Sequence, residues 1–214
     1  NTHFKKHVIT LEDPSECVFE DNQSVIEQRE IGLDCLSFES GLKHILRQDP
    51  VIIMIGEMRD ALRFSAALSA AETGHLVLST LHTTNAPISI GRILDFFTPE
   101  ERDQIRRQLA ATLQAVVCQR MVNSASGGVI PAIEIMINTP TVRKLIEENR
   151  MEKLAAAIET GREDGMQNFN QALFDLVKER KVTEKEALAK ASNPETLKMN
   201  FQGIFLDEAR RILS

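Results

Sequence analysis

Apolar positions over the first 138 residues come in short runs separated by amphipathic stretches, and the runs are the lengths of strands. Val51-Ile52-Ile53-Met54-Ile55 is continuous and mostly β-branched, entered through Asp49-Pro50 and closed by Gly56. Such a run suits a strand covered on both faces, as in a parallel α/β sheet. Val8 to Leu11 and residues 76 to 80 predict two more strands. Between the first two lies a polar, hairpin-like segment, residues 18 to 31, and then a helix from about Ser37 with Phe38, Leu42, Ile45 and Leu46 at helical spacing. Ala61 to Glu72 is an alanine-rich helix with Gly74 as its C-terminal cap.

A helix follows from Pro87 to Phe96, and another starts at Thr98-Pro99-Glu100-Glu101. Threonine, then proline at the first helical position, then glutamate at the third is a capping box. Residues 116 to 122 and 129 to 137, split by Gly127-Gly128, predict a hairpin at one edge of the sheet. From Thr139-Pro140 the pattern is helical only, over 141–150, 152–160, 168–180, 183–191 and 194–200, with Thr183 and Glu186 as a second capping box. The expected organisation is therefore an α/β region over 1–138, a helical subdomain over 139–202 and a short tail over 203–214.

Composition narrows the class without naming a function. At 214 residues, 43% hydrophobic and 26% charged, the chain is of ordinary globular make-up and long enough to bury a core. A net charge of −6 and the lack of basic clusters interleaved with aromatics argue against general nucleic-acid binding. The odd set Cys17, Cys35 and Cys118, without C-x-x-C spacing, indicates neither a disulfide framework nor a structural zinc site and fits a reducing compartment. No apolar run approaches the roughly 18 residues of a membrane helix, so membrane association is expected only through a partner. The chain opens at Asn1 without methionine and enters a buried-looking strand almost at once, as a piece of a longer polypeptide would.

Chemistry collects where the three strands end. Glu57 follows the run at 51–55, with Arg59 and Asp60 beyond it; Glu12, Asp13 and Glu16 follow the first strand; Thr80, His82, Thr83 and Thr84 follow the third. Ligands of parallel α/β sheets gather beyond the carboxyl ends of the strands. Carboxylates, an imidazole and hydroxyls there suit a polyanion with a divalent cation, the acids holding metal or activating water. A strand-end acid also serves to cap a helix or pair with an arginine, and Glu12 and Asp13 are placed to cap the turn before Pro14. His75, beside Gly74, is expected to be a packing or turn residue.

Leu11-Glu12-Asp13-Pro14-Ser15-Glu16, Ile55-Gly56-Glu57-Met58-Arg59-Asp60 and Thr73-Gly74-His75 through Leu81-His82-Thr83-Thr84 resemble, in order and spacing, the Asp box, Walker B and His box of the secretion-superfamily ATPases. Gln28-Arg29-Glu30, Gly165-Met166-Gln167 and Gln171-Ala172-Leu173 extend the resemblance over nearly the whole chain, toward the type IV pilus retraction (PilT/PilU-like) branch. The paired C-x-x-C motifs usual in the assembly and type II secretion members do not occur. Thr141-Val142-Arg143-Lys144-Leu145-Ile146-Glu147-Glu148 keeps only the core of the retraction branch's Ala-Ile-Arg-Asn-Leu-Ile-Arg-Glu motif. No G-x-x-x-x-G-K-[ST] loop is present, so the phosphate cradle would lie upstream of Asn1.

The resemblance implies a RecA-like three-layer α/β core with a mainly parallel sheet, its phosphate-loop portion missing, followed by a helical C-terminal region. It implies ATP and Mg²⁺ as cofactors, with Glu16 activating water, Glu57 holding Mg²⁺ or its water shell, and His82 sensing the γ-phosphate. Glu12, Asp13, Arg59 and Thr80 are further candidates for contacting the nucleotide. Arg59, Arg92 and Arg120 are candidates for compensating charge or reaching a neighbouring subunit's nucleotide. The implied function is that of a hexameric, ATP-hydrolysing motor for pilus retraction and twitching motility. It would be cytoplasmic, at the inner-membrane face of the pilus machine, with an inner-membrane platform protein and related pilus ATPases as partners. A non-motor accessory or regulatory paralogue, or a type II secretion or pilus-assembly ATPase, are the alternatives. Residues 1–214 alone are expected not to hydrolyse ATP.

Overall fold

A computed structural model of the chain describes residues 1–205, so the expected tail lies outside the described residues from 206 onward. Two compact units divide between His82 and Thr83. The boundary expected at 138/139 marks the change from strands to helices inside the second unit.

In the first unit, β1 (His7–Glu12), β2 (Val25–Glu30), β3 (Ile52–Ile55) and β4 (Leu76–Ser79) form one sheet in the order β2-β1-β3-β4. Every pair is parallel. Ile55 stands opposite Leu11 on one side and Ser79 on the other, so the carboxyl ends of β1, β3 and β4 lie side by side with β3 central. Helices α1 (Phe38–Ile45) and α2 (Ala61–Glu72) pack on the face carrying Ile9, Leu11, Ile53 and Ile55, through Phe38, Leu42, Ile45, Ala67 and Ala70. On the other face Ile52 and Met54 are half-buried and Leu76 and Leu78 exposed, so β3 is fully covered on one face only.

The segment expected to be hairpin-like holds instead β2, paired parallel to β1. Its Glu27, Gln28 and Arg29 are tolerated because β2 is an edge strand whose side chains stay half-exposed. The cap at Gly74 forms as expected. Its φ of 94° lets the Gly74 N–H reach Ala71 O and the His75 N–H reach Ala70 O, closing α2 with a Schellman motif. His75 Nδ1 completes the turn at 3.0 Å from Ala70 O.

The second unit begins with α3 (Ala86–Asp95) and α4 (Pro99–Thr112), continues through β5 (Ala115–Asn123) and β6 (Val129–Ile137), and ends in α5 (Pro140–Glu147), α6 (Leu154–Thr160), α7 (Phe169–Lys178), α8 (Glu184–Lys190) and α9 (Pro194–Phe201). The capping box expected at the start of α4 is present, with Glu101 accepting the Thr98 N–H at 3.0 Å. β5 and β6 pair antiparallel around Gly127 and Gly128, both at positive φ. They form a two-stranded sheet of their own, not an edge of the parallel sheet. The α8 box is only half made. Thr183 takes the Glu186 N–H, but the Glu186 carboxylate accepts from the Asn123 N–H and side-chain amide, two donors that outcompete the single N-cap N–H. α5 stops at Glu147, three residues short of the expected end, because Asn149 turns left-handed at φ 59° and Arg150 N–H returns to Leu145 O.

Ile53 sits at the centre of the first core and is fully buried, whereas Val51 just outside β3 is 42% exposed. Ile53→Ala should cost about 2–5 kcal/mol in urea denaturation, and Val51→Ala no more than about 0.5 kcal/mol; equal losses would mean that the sheet does not pack as described.

Candidate active site

The sheet delivers three chain segments to one edge, and short polar ties hold them in register past the last ladder bond. Gly56 N–H donates to Leu11 O at 2.9 Å, linking the end of β3 to that of β1. Thr80 Oγ1 donates to Gly56 O at 2.6 Å, and the Met58 N–H to Thr80 O at 3.4 Å, linking it to β4. Thr80 therefore serves as a clamp on the Gly56-Glu57 peptide.

Glu57 is the centre of the cluster. One carboxylate oxygen is 2.7 Å from Arg59 Nη2 and the other 3.4 Å from His82 Nε2. The hydrogen bond from Arg59 is the main reason its carboxyl is held below the usual glutamate range, with Arg59, His82 and Arg63 adding charge against partial desolvation. Glu57 is thus an anion at neutral pH. Its folded value lies below the unfolded one, so the stability it contributes is present above the unfolded pKa and lost as pH falls through the folded one. His82 is 86% exposed on its side chain, so its pairing with Glu57 is weakly held and open to exchange.

Arg63 is the organising residue that sequence reasoning missed. Only 17% exposed, it donates through Nη1 to Glu57 O at 3.2 Å and lies 3.4 Å from Asp60 and 3.8 Å from Asp13. Its guanidinium also sits 5.0 Å from the Phe38 ring centroid. It thereby joins the end of β1, the end of β3 and the first turn of α2, where Asp60 caps by accepting the Arg63 N–H. A lone arginine three residues after an N-cap aspartate was the only signal.

The other candidates divide. Glu12 is buried and turned into the sheet, accepting from Thr10 Oγ1 at 2.6 Å and Gln28 Nε2 at 3.0 Å. Asp13 faces Arg63. Glu16 stands exposed in the loop after β1, without an ion pair among the described residues. In the second unit, Arg92 lies over Phe96, and Arg120 lies 4.0 Å over Phe169 while donating to Lys190 O and Ser192 Oγ.

The described residues contain no group of three or more His, Cys, Asp or Glu side chains able to hold a metal ion. One anionic glutamate near exposed polar groups nonetheless fits Mg²⁺, which is bound through one or two carboxylates together with water and phosphate oxygens.

Residues 1–162 match the model of the family described as type II/IV secretion system protein. The chain belongs to that family. Within it, the chain is 43% identical to the type IV pilus retraction ATPase PilT of Pseudomonas aeruginosa over 88% of this chain and 55% of that protein. It is 41% identical to a twitching motility protein of Neisseria gonorrhoeae over 89% of this chain and 51% of that protein. The crystal structure of the pilus retraction motor PilT with bound ADP superposes with a TM-score of 0.83 at 38% identity, covering 92% of this chain and 56% of that one. The secretion-family chain thus spans about half the length of these relatives, and its parallel sheet with flanking helices is the α/β fold of the PilT ATPase. No described helix is long and apolar enough to cross a membrane.

If Arg59 holds Glu57 ionised, Arg59→Ala should raise the Glu57 carboxyl toward the ordinary value of about 4.3, as read by carbon-13 carboxyl NMR titration. An unmoved titration would show that the pair does not control it.

Proposed function

We propose that the full-length protein is an ATP-hydrolysing motor subunit of a homo-hexameric ring that drives type IV pilus retraction and twitching motility. The observation that carries the reading is Glu57. It is an ionised carboxylate at the end of β3, between the β1 and β4 ends and next to an exposed imidazole, in a chain similar to a retraction ATPase. Phosphoryl transfer asks mainly for positioning and charge stabilisation. Glu57 would hold Mg²⁺ or its water shell, and the ion would supply charge neutralisation at the phosphates. Exposed Glu16, free to turn, accepts the proton of the attacking water. His82 exchanges Glu57 for the γ-phosphate, and Arg59, released from Glu57, offers its planar fork to phosphate oxygens. Asp13, just after β1, faces the Arg63 that holds the Glu57 carbonyl, Glu12 ties the end of β1 to Gln28 of β2, and the Thr80 hydroxyl holds the Gly56 carbonyl beside Glu57.

No G-x-x-x-x-G-K-[ST] loop occurs within residues 1–214, and these residues alone have no appreciable ATPase activity. The ring works in the cytoplasm at the inner-membrane face of the pilus machine, passing motion to a platform protein, with related pilus ATPases as further partners. The absence of C-x-x-C pairs supports the retraction branch over the type II secretion and assembly branch.

In the full-length protein, Glu16→Gln should lower kcat roughly 100-fold or more with ATP still bound. Glu57→Gln should also retain ATP binding, lower kcat and raise the Mg²⁺ concentration needed for half-maximal rate. Wild-type turnover in either variant, measured by phosphate release, removes that residue from the mechanism.

A further inference from the structure

The loop between β1 and β2, residues 13–24, carries Glu16 and is held from the β2 side. In the parallel register Gln28 stands opposite Thr10 and Glu30 opposite Glu12. Alternation puts all four on the sheet face turned away from α1 and α2. The Gln28 amide engages both of its N–H groups and its carbonyl. Nε2 donates to Glu12 Oε1 at 3.0 Å and to Cys17 O at 2.8 Å, and Oε1 accepts the Phe19 N–H at 2.7 Å. Turned over, the amide would set its oxygen against two acceptors and its nitrogen against a donor, so only one orientation is satisfied. Glu12 enforces that orientation. It is 5% exposed, and the same Oε1 also takes the Thr10 hydroxyl at 2.6 Å.

Cys17 follows Glu16 directly, and on the other side the Ser15 N–H donates to Glu30 Oε2 at 3.0 Å. The main chain is therefore fastened on both sides of Glu16, while the Glu16 side chain stays exposed. A group that activates water must be placed to better than about 1 Å, a precision that an irregular loop does not have by itself. We infer that Gln28 is a positioning residue: its oriented amide, with the Glu30 carboxylate, fixes the backbone at Glu16 against β2 and so presents the Glu16 carboxylate to the attacking water. This rests on the role given to Glu16 above. The ladder between β1 and β2 is made by backbone groups and β2 is an edge strand with half-exposed side chains, so the amide serves the loop and not the strand.

The test uses the full-length protein with Gln28→Met, which keeps the side-chain length and removes all three bonds, and with Gln28→Glu, which keeps the shape but turns an oxygen toward Glu12 and Cys17 O. Both should lower kcat about tenfold with KM for ATP within about twofold, and neither should cause further loss in a Glu16→Gln background. Hydrogen exchange followed by mass spectrometry should show amides 15–19 exchanging about fivefold faster or more, with those of β1, β3 and α2 unchanged. Wild-type exchange at 15–19, acceleration spread evenly over the unit, or wild-type turnover in Gln28→Met overturns the inference. Wild-type turnover in Gln28→Glu would show that filling the space is enough, and overturns it too. Additive losses overturn action through Glu16. Glu30→Ala, which leaves Gln28 in place, should accelerate the same amides by a smaller factor and keeps the test decisive if the Gln28 variants do not fold, since wild-type exchange in it would show that β2 does not hold the loop. A Glu16→Gln protein with wild-type turnover removes instead the role of Glu16, and the exchange data then still decide whether Gln28 holds the loop.

Discussion

Everything at the candidate site depends on the parallel pairing of β3 with both β1 and β4. Parallel neighbours bring like ends together, so three segments distant in sequence are delivered to one edge by backbone geometry alone. The pairing is held in register because a one-residue slip would move Ile53 and Ile55 off the helix-covered face and put Ile52 and Met54 in their place. The buried aliphatic face under α1 and α2 thus places Glu57 between the segments bearing Asp13 and His82.

With the position set, the local electrostatics decide what Glu57 is. Arg59 and Arg63 lie on either side of its backbone and carboxylate, one exposed and one mostly buried. The buried arginine serves structure, since it holds Glu57 by its carbonyl and cannot leave without unpairing Asp13 and Asp60. The exposed one is a counter-ion that water or phosphate can replace at small cost. That difference lets a carboxylate be both preorganised and available.

Most of this was legible in the chain where one local force dominates. The apolar run ending at Gly56 announced β3, Gly74 marked its helix end, and Gly127-Gly128 marked the hairpin, because strand burial and positive φ each leave few residue choices. The strand-end residues followed from the parallel sheet. β2 was not legible, since an edge strand can carry polar residues and Val25 to Glu30 looks like a solvated turn. Arg63 and the diversion of Glu186 to Asn123 depend on partners far away in sequence, which no periodicity records.

The central claim is that Glu57 faces the metal side of a bound nucleotide. It is tested most directly by a crystal structure of the full-length protein with a non-hydrolysable ATP analogue and Mn²⁺ in place of Mg²⁺, the ion located by its anomalous scattering. The account predicts the Mn²⁺ peak at the Glu57 carboxylate, bonded to it directly or through one water, with Arg59 or His82 moved off it. A peak elsewhere, with Glu57 still paired to Arg59 and His82, would contradict it.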